Sequence, residues 1–279
     1  MSHSLFNQTH ETILFKGSLL KKDGKEVENA SFHVRLLKKQ DASKMFELSQ
    51  KIYHALRPEE QTFIRKHDDI SYYENIVNDN TTKFMGVFHN GTLIGMSYIK
   101  VCSDKKTFLN EIPNQETTAF ENNKKVATFG GDCVLPAYRG NKINQIMVSI
   151  RTQMAKQMGC QEAYSIIDRN NLNNLTPYFA NQFLLISSGI DPTDNGPIYT
   201  MKINLNQRGC HPMQHPTQLA FVRVSDQKGI DDLLNQNFQG SNYDPTSQVM
   251  EFIKKPTLIR SQKFVLTPHH QQRKVFSYV

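Results

Sequence analysis

The chain has 279 residues, 38% of them hydrophobic and 21% charged, with a formal net charge of +7 and an isoelectric point near 9.1. That composition supports a full globular core and excludes a disordered or fibrous chain, and no apolar run approaches the ~18 to 20 residues of a membrane-spanning helix. The start, MSHSLFNQTHETILFKG, lacks a basic segment followed by an apolar stretch and a small-residue cleavage site. No secretory signal is read there, and a cytoplasmic protein is expected.

The N-terminal stretch TILFKGSLLKKDGKEVENASFHVRLL reads as strand-like runs joined by a turn at Asp23-Gly24, with a further strand from Phe32 to Leu37. Asp41 is a candidate N-cap for a helix whose apolar positions are Met45, Phe46, Leu48, Ile52, Tyr53 and Leu56, closed by Pro58. Helical spacing continues over about Glu59 to Asn78. KFMGVFHNGTLIGMSYIKV reads as a hairpin about Asn90-Gly91, the dipeptide that supplies the positive φ angles of a tight turn.

A polar, exposed loop is expected from Ser103 to Asn123, then a strand KKVATFGGDCVL ending before Pro136, and a helix from about Asn141 to Met158 stopped by Gly159. AYSIID gives a buried strand, Leu172 to Asn181 a short helix, and PIYTMKINL another strand. Residues 206–216 have linker composition. Strand LAFVRV and helix SDQKGIDDLLNQNF follow, and beyond Gly240 the pattern is ambiguous.

Cys102, Cys133, Cys160 and Cys210 lie far apart, with neither metal-type CxxC spacing nor a disulfide framework, so reduced and mostly buried thiols are expected. His269-His270 and the His211/His215 pair lack metal-binding surroundings, and no metal is expected. The lysines come in scattered short pairs that read as solvated faces. With no recognition helix and no aromatic–basic interleave, no nucleic acid partner is expected, and the positive charge suits a polyanionic small ligand.

The chemistry concentrates in VLPAYRGNKINQIMVSIRTQM. A strand runs out at Val134, Pro136 breaks it, and Arg139-Gly140 leads into a helix. Backbone N–H groups at such a helix start, reinforced by the helix dipole, bind phosphate without needing a particular side chain. Arg139 and Lys142 add two cations. A strand–turn–helix unit of this kind can also bind nothing.

This stretch resembles motif A of the GNAT acetyltransferases, V-x-P-x-Y-R-G-x-G-I/L-G/A, through Val134, Pro136, Tyr138, Arg139, Gly140 and Ile143. Lys142 stands where the motif has its central glycine, and Asn144 where it has its second small residue. A lysine there either obstructs the phosphates or pairs with them. The family's N-x-x-S-x-x-x-Y-x-x-x-G-F pattern keeps register through Asn171, Tyr178 and Phe183, with Asn174 replacing the serine and Gln182 the glycine.

The resemblance implies an α+β fold of three layers: a central mixed, mostly antiparallel twisted sheet, flanked by helices and splayed at the cofactor site. It implies a domain over 32–205, preceded by a strand or hairpin extension (1–31). A C-terminal extension (206–279) follows, similar to one in a bacterial subgroup of the family. It implies acetyl-CoA held by Arg139, Gly140, Asn141, Lys142, Ile143, Asn144 and Asn171 and by the backbone of Cys133 and Val134. The acyl acceptor is an amine, either a small molecule or a protein group, and the protein a monomer or homodimer with no membrane partner.

Direct transfer needs an oriented thioester, an uncharged amine and a proton for the leaving thiolate. Asp132 is the candidate base and Tyr178 the candidate acid, while strand N–H groups near Cys133 are placed to polarise the thioester carbonyl. Asp132 reads equally as a strand-end surface residue, and Tyr178 as a buried helix ring. The acceptor pocket is expected between the two early helices and the 103–123 loop, with Tyr53, His54, Tyr72 and Tyr73 as candidates. The alternative is a module of the same fold that binds acyl-CoA, or regulates, without turnover.

Overall fold

The computed structural model describes residues 12–28, 30–63, 69–113, 115–206 and 218–254. Cys210, His211, His215, His269 and His270 lie outside these. The chain begins with β1 (Ile13–Ser18), a small hairpin of β2 (Lys21–Lys22) and β3 (Lys25–Glu26), and β4 (Ser31–Leu36). Helices α1 (Ala42–Ala55) and α2 (Ile70–Val77) follow, then β5 (Thr82–His89), β6 (Thr92–Cys102), α3 (Lys105–Glu111) and β7 (Lys125–Val134). Next come α4 (Ile143–Gln157), β8 (Cys160–Asp168), α5 (Leu175–Ala180), β9 (Leu184–Ile190) and β10 (Pro197–Asn204). The last described elements are β11 (Leu219–Arg223), α6 (Gln227–Asn235), β12 (Phe238–Asp244) and β13 (Val249–Lys254).

Among the described residues eleven strands form one sheet in the order β1-β4-β5-β6-β7-β8-β10-β9-β12-β13-β11. Every pairing in it is antiparallel except β7 with β8. The β5–β6 hairpin closes through Asn90 (φ 48°) and Gly91 (φ 74°), the left-handed pair that matches the twist of the strands.

Neighbouring strand residues point to opposite faces, and on β5 Phe84 and Met85 enter different cores. Phe84 packs with Met45, Leu48 and Ile52 of α1 and Tyr73 of α2. Met85 and Val87 pack with Ile143 and Met147 of α4. A third cluster joins Val148, Tyr178, Phe183 and Leu185 to Ile230, Met250 and Phe252. Each fully buried side chain of this size contributes about 1.5–3 kcal/mol.

Three sequence expectations change. The helix expected over about 59–78 is a 3-10 helix at Pro58–Phe63 and a separate α2, whose start is fixed by Asp69 accepting a hydrogen bond from the Ser71 amide. The expected loop 103–123 contains α3, capped by Asp104 accepting from the Thr107 amide. Phe108 and Ile112 are buried against Cys102, Val126 and Tyr164, so this segment belongs partly to the core. β9, absent from the expected order, lies between β10 and β12.

Candidate active site

β7 and β8 run side by side from the pair Lys125↔Cys160 to Phe129↔Ser165, and then part. Gly130 and Gly131 (φ +64°) shape the departure. A Cβ on Gly130 would stand 2.5 Å from the Tyr98 hydroxyl oxygen, so no larger residue fits without displacing that ring. The β6–β7 register also shifts between Met96 and Tyr98.

Arg151, rising from α4, fills this irregular point. Its Nη1 donates to the carbonyls of Tyr98 at 3.2 Å and Gly130 at 3.4 Å. Its Nη2 lies 2.5 Å from Oδ1 of Asp132, with the two side chains 0% and 4% exposed. The Tyr178 hydroxyl donates to Oδ2 of Asp132 at 2.6 Å, and Ser165 Oγ lies 2.9 Å from that hydroxyl as its donor. One buried network therefore spans the parted strands.

Burial raises the Asp132 carboxyl above its ordinary range, against the opposing pull of Arg151 and Tyr178. A guanidinium keeps its charge throughout the physiological range, so the carboxylate is needed as its counter-ion. Burial, and then the Asp132 charge, pushes the Tyr178 phenol well above its ordinary value, so it remains protonated at neutral pH. The sequence brought forward Asp132 and Tyr178 as base and acid. The structure joins them to each other: the Asp132 side chain is buried rather than a strand-end surface group, and Tyr178 is a fully buried core ring whose hydroxyl bonds it. Arg151 and Ser165 were missed. The signal for Arg151 was an arginine on the apolar stripe of α4, among Ile143, Met147, Val148 and Ala155, which are all buried.

The loop between β7 and α4 leaves a run of backbone amides without protein partners among the described residues. Among the described residues, none of the amides of residues 140–145 donates to a protein acceptor, while the Ile146 amide begins the helical ladder at Lys142 O. Gly140 (φ +84°) is open, since a Cβ there would meet nothing within 4 Å. Lys142 adopts φ 56° and ψ 18°, the left-handed conformation that a glycine takes freely, and its side chain is exposed. The backbone is thus glycine-like without glycine, at a cost of about 1–2 kcal/mol.

The side chain of Asn141 is not available to a ligand. It accepts from the Leu20 and Lys21 amides at 2.7 and 2.9 Å. It also donates to the carbonyls of Lys21 and Tyr138 at 2.7 and 2.8 Å, locking the N-terminal hairpin onto the loop. Ile143 is buried in the core, leaving only its amide for the loop. Asn144 Nδ2 donates to Asn174 Oδ1 at 2.6 Å, so two departures from the expected motifs are each other's partners. Burial pushes the Cys133 thiol up to about 12, which leaves its backbone as the useful part.

A cavity of ≈390 Å³ opens at the splay. Asp132, Cys133, Asn171 and Asn174 line it, together with Tyr72 and Tyr73 of α2 and residues 109–113. Tyr53 and His54, expected there, are not among its lining residues. Among the described residues no group of three or more His, Cys, Asp or Glu side chains is placed to hold a metal ion, and no helix is long and apolar enough to cross a membrane.

The model of the acetyltransferase (GNAT) family matches residues 44–178, from α1 through the parted strands to Tyr178. Through this stretch, just under half of its length, the chain matches the GNAT family. The mixed sheet with its flanking helices is the GNAT fold. No curated protein matches the chain.

Similar solved structures include Arabidopsis thaliana NAA60 in complex with acetyl-CoA, at 16% identity, covering 63% of this chain and 99% of that one with a TM-score of 0.46. The PaiA N-acetyltransferase from Thermoplasma acidophilum in complex with coenzyme A is 20% identical, with 62% and 98% covered and a TM-score of 0.44. FeeM, an N-acyl amino acid synthase from uncultured soil microbes, is 12% identical, with 64% and 93% covered and a TM-score of 0.49. Within the matched stretch Lys142 stands at the family's glycine position and Asn144 at its second small position, each accommodated as described above.

Proposed function

We propose that the protein moves an acetyl group from acetyl-CoA to a primary amine by direct transfer. The observation that carries this reading is the run of amides at 140–145 with no acceptor among the described residues, at the start of a 15-residue helix and flanked by exposed Arg139 and Lys142. These groups fit a diphosphate. Acetyl-CoA, when bound, supplies an activated acyl thioester.

The loop amides, Arg139 and Lys142 hold the anionic end. The backbone of Cys133 and Val134, beyond the last β7–β8 pair, and Asn171 on the cavity wall are the groups for the rest. Arg151, Asp132, Tyr178 and Ser165 keep the strands apart and the cavity floor fixed, so orientation is the main catalytic contribution of the fold. In this arrangement the Tyr178 proton is held by Asp132. Donation to a departing thiolate requires that this hydrogen bond be given up.

Calorimetric titration with coenzyme A, followed by thiol-release assays with acetyl-CoA and a panel of amines, tests the proposal. It expects binding weakened by Lys142→Ala and amine-dependent thiol release. Absence of coenzyme A binding would end it. The second reading is an acyl-CoA-binding module without turnover. It draws support from Asp132 and Tyr178 being engaged with Arg151 and with each other, and it predicts binding with no thiol release for any amine.

A further inference from the structure

The C-terminal strands and helix reach back toward the cavity through one face of α6. Gln227 and Asp231 are four residues apart, so their side chains are neighbours on that face. The Tyr199 hydroxyl of β10 donates to Gln227 Oε1 at 2.9 Å. Asp231 Oδ1 accepts from Arg169 Nη2 at 2.7 Å and from the Ser188 hydroxyl of β9 at 2.5 Å. The Arg169 guanidinium also lies over the Tyr199 ring, 5.3 Å from its centroid. Arg169 falls inside the matched stretch 44–178, whereas Asp231 falls outside it.

Arg169 opens the turn that leaves β8, one step beyond the last β8–β10 pair, Asp168↔Ile198. Its amide donates to the Pro197 carbonyl at 2.9 Å. Beside it the Asp168 carboxylate accepts from the Asn170 amide at 2.8 Å, and the Asp168 carbonyl from the Asn171 amide at 2.9 Å. Asp168, Asn171 and Asn174 line the cavity, and Arg169 does not. Asn174 in turn accepts from Asn144 at the start of α4. Contacts therefore run without a break from α6, through Arg169 and its turn, to the helix start that carries the free amides.

We infer that Asp231 is a positioning residue for the coenzyme site: by holding Arg169 off the cavity it fixes the turn 168–171, and with it Asn171 and the Asn174–Asn144 pair. This rests on the coenzyme A reading above. The physical reason is charge. A guanidinium keeps its proton throughout the physiological range, so an Arg169 without Asp231 seeks another carboxylate. The adjacent one, Asp168, is the acceptor that holds the Asn170 amide, and sharing it loosens the turn. The Arg169 and Asp231 side chains are 16% and 37% exposed, and a pair of that kind adds little to global stability. Its effect is local.

Calorimetric titration with coenzyme A and hydrogen exchange of the unliganded protein test this together. Asp231→Asn is expected to weaken coenzyme A binding about three- to tenfold, the equivalent of one net hydrogen bond. Exchange at the Asn170 and Asn171 amides is expected to quicken in the same variant, with Tm little changed. Asp231→Glu, whose carboxylate still reaches the guanidinium, retains the affinity. Gln227→Leu breaks the Tyr199 bond in the same interface and leaves the affinity as it was. Added to Arg169→Met, Asp231→Asn causes no further loss, because the two substitutions remove one contact.

Unchanged affinity or unchanged exchange in Asp231→Asn overturns the inference. So does an equal loss of affinity in Gln227→Leu, which would make α6 a support of the fold alone. If the wild type binds no coenzyme A, the parent reading falls and takes the inference with it.

Discussion

Asp132→Asn separates charge from shape at the heart of the site. The amide keeps the carboxylate's outline and still accepts from the Tyr178 hydroxyl, but it strips Arg151 of its counter-ion. Arg151 is 0% exposed and its Nη2 faces Asp132 at 2.5 Å, so no water can take the place of the lost charge. Removing one partner of a buried pair costs about 3–5 kcal/mol, or roughly 6–20 °C in Tm at about 2–4 °C per kcal/mol. Urea denaturation of the wild type, Asp132→Asn, Arg151→Met and the double variant gives the coupling between the two positions. A coupling above about 1.5 kcal/mol is expected, within the range for residues in contact. Strictly additive single effects would refute the ion-pair account. The same variants report on chemistry: a framework role for Asp132 lowers kcat and leaves the pH profile of kcat/KM unchanged. Loss of one limb of that profile would restore Asp132 as the base.

Asn141→Leu removes the four hydrogen bonds to the N-terminal hairpin and the Tyr138 carbonyl, at ~1 kcal/mol each. Faster hydrogen exchange at Leu20 and Lys21 and weaker coenzyme A binding are expected together, and unchanged exchange would show that the lock is not there. Lys142→Gly keeps the left-handed turn and relieves the lysine's strain, so Tm is expected to hold or rise by the equivalent of up to ~1 kcal/mol. Coenzyme A affinity should fall a few-fold with the lost cation, whereas tighter binding would mark the side chain as an obstruction. Arg35 grips Asp41 through contacts of 2.7 and 2.8 Å. Burial alone would raise Asp41, but the Arg35 hydrogen bonds and the Lys38 amide overcome it and hold the carboxyl below its usual range. That contribution is complete above the unfolded carboxyl's ~3.9 and is lost as pH falls through the lower folded value, so acid melts should weaken below about pH 4. In Asp41→Asn that part of the acid dependence is expected to vanish.

Elements set by local chemistry were legible. Asn90-Gly91 announced its turn because two successive left-handed residues are needed there, and Pro58 and Gly159 marked helix limits by the same short-range logic. Asp41 stands at the N-cap position of α1, but its carboxylate binds Arg35 and the Lys38 amide and makes no cap hydrogen bond to the helix. The strand–turn–helix junction before α4 was legible because Pro136, Arg139 and Gly140 lie close together in sequence. α3 was hidden by composition: in KKTFLNE only Phe108 and Leu109, with Ile112 just beyond, reach the core, so its polar majority reads as loop. β9, LLISSGI, is mostly half-buried with only Leu185 fully buried, so it offers no alternation to detect. The contacts of Asp132 and Tyr178 were out of reach for a different reason. Their partners sit on α4 and β8, distant in sequence, and only the parting of β7 from β8 brings the four side chains together.

The join between β9 and β12 is a single ladder pair, Gly240↔Leu185. Yet the apolar cluster beneath it runs without a break from Phe183 and Leu185 to Phe238, Met250 and Phe252. A chain cut after β10 would keep every residue named for chemistry and still strip that cluster of half its cover. Fragments that end before β11 are therefore expected to be less stable and more open to proteases than the chain that keeps β11 to β13.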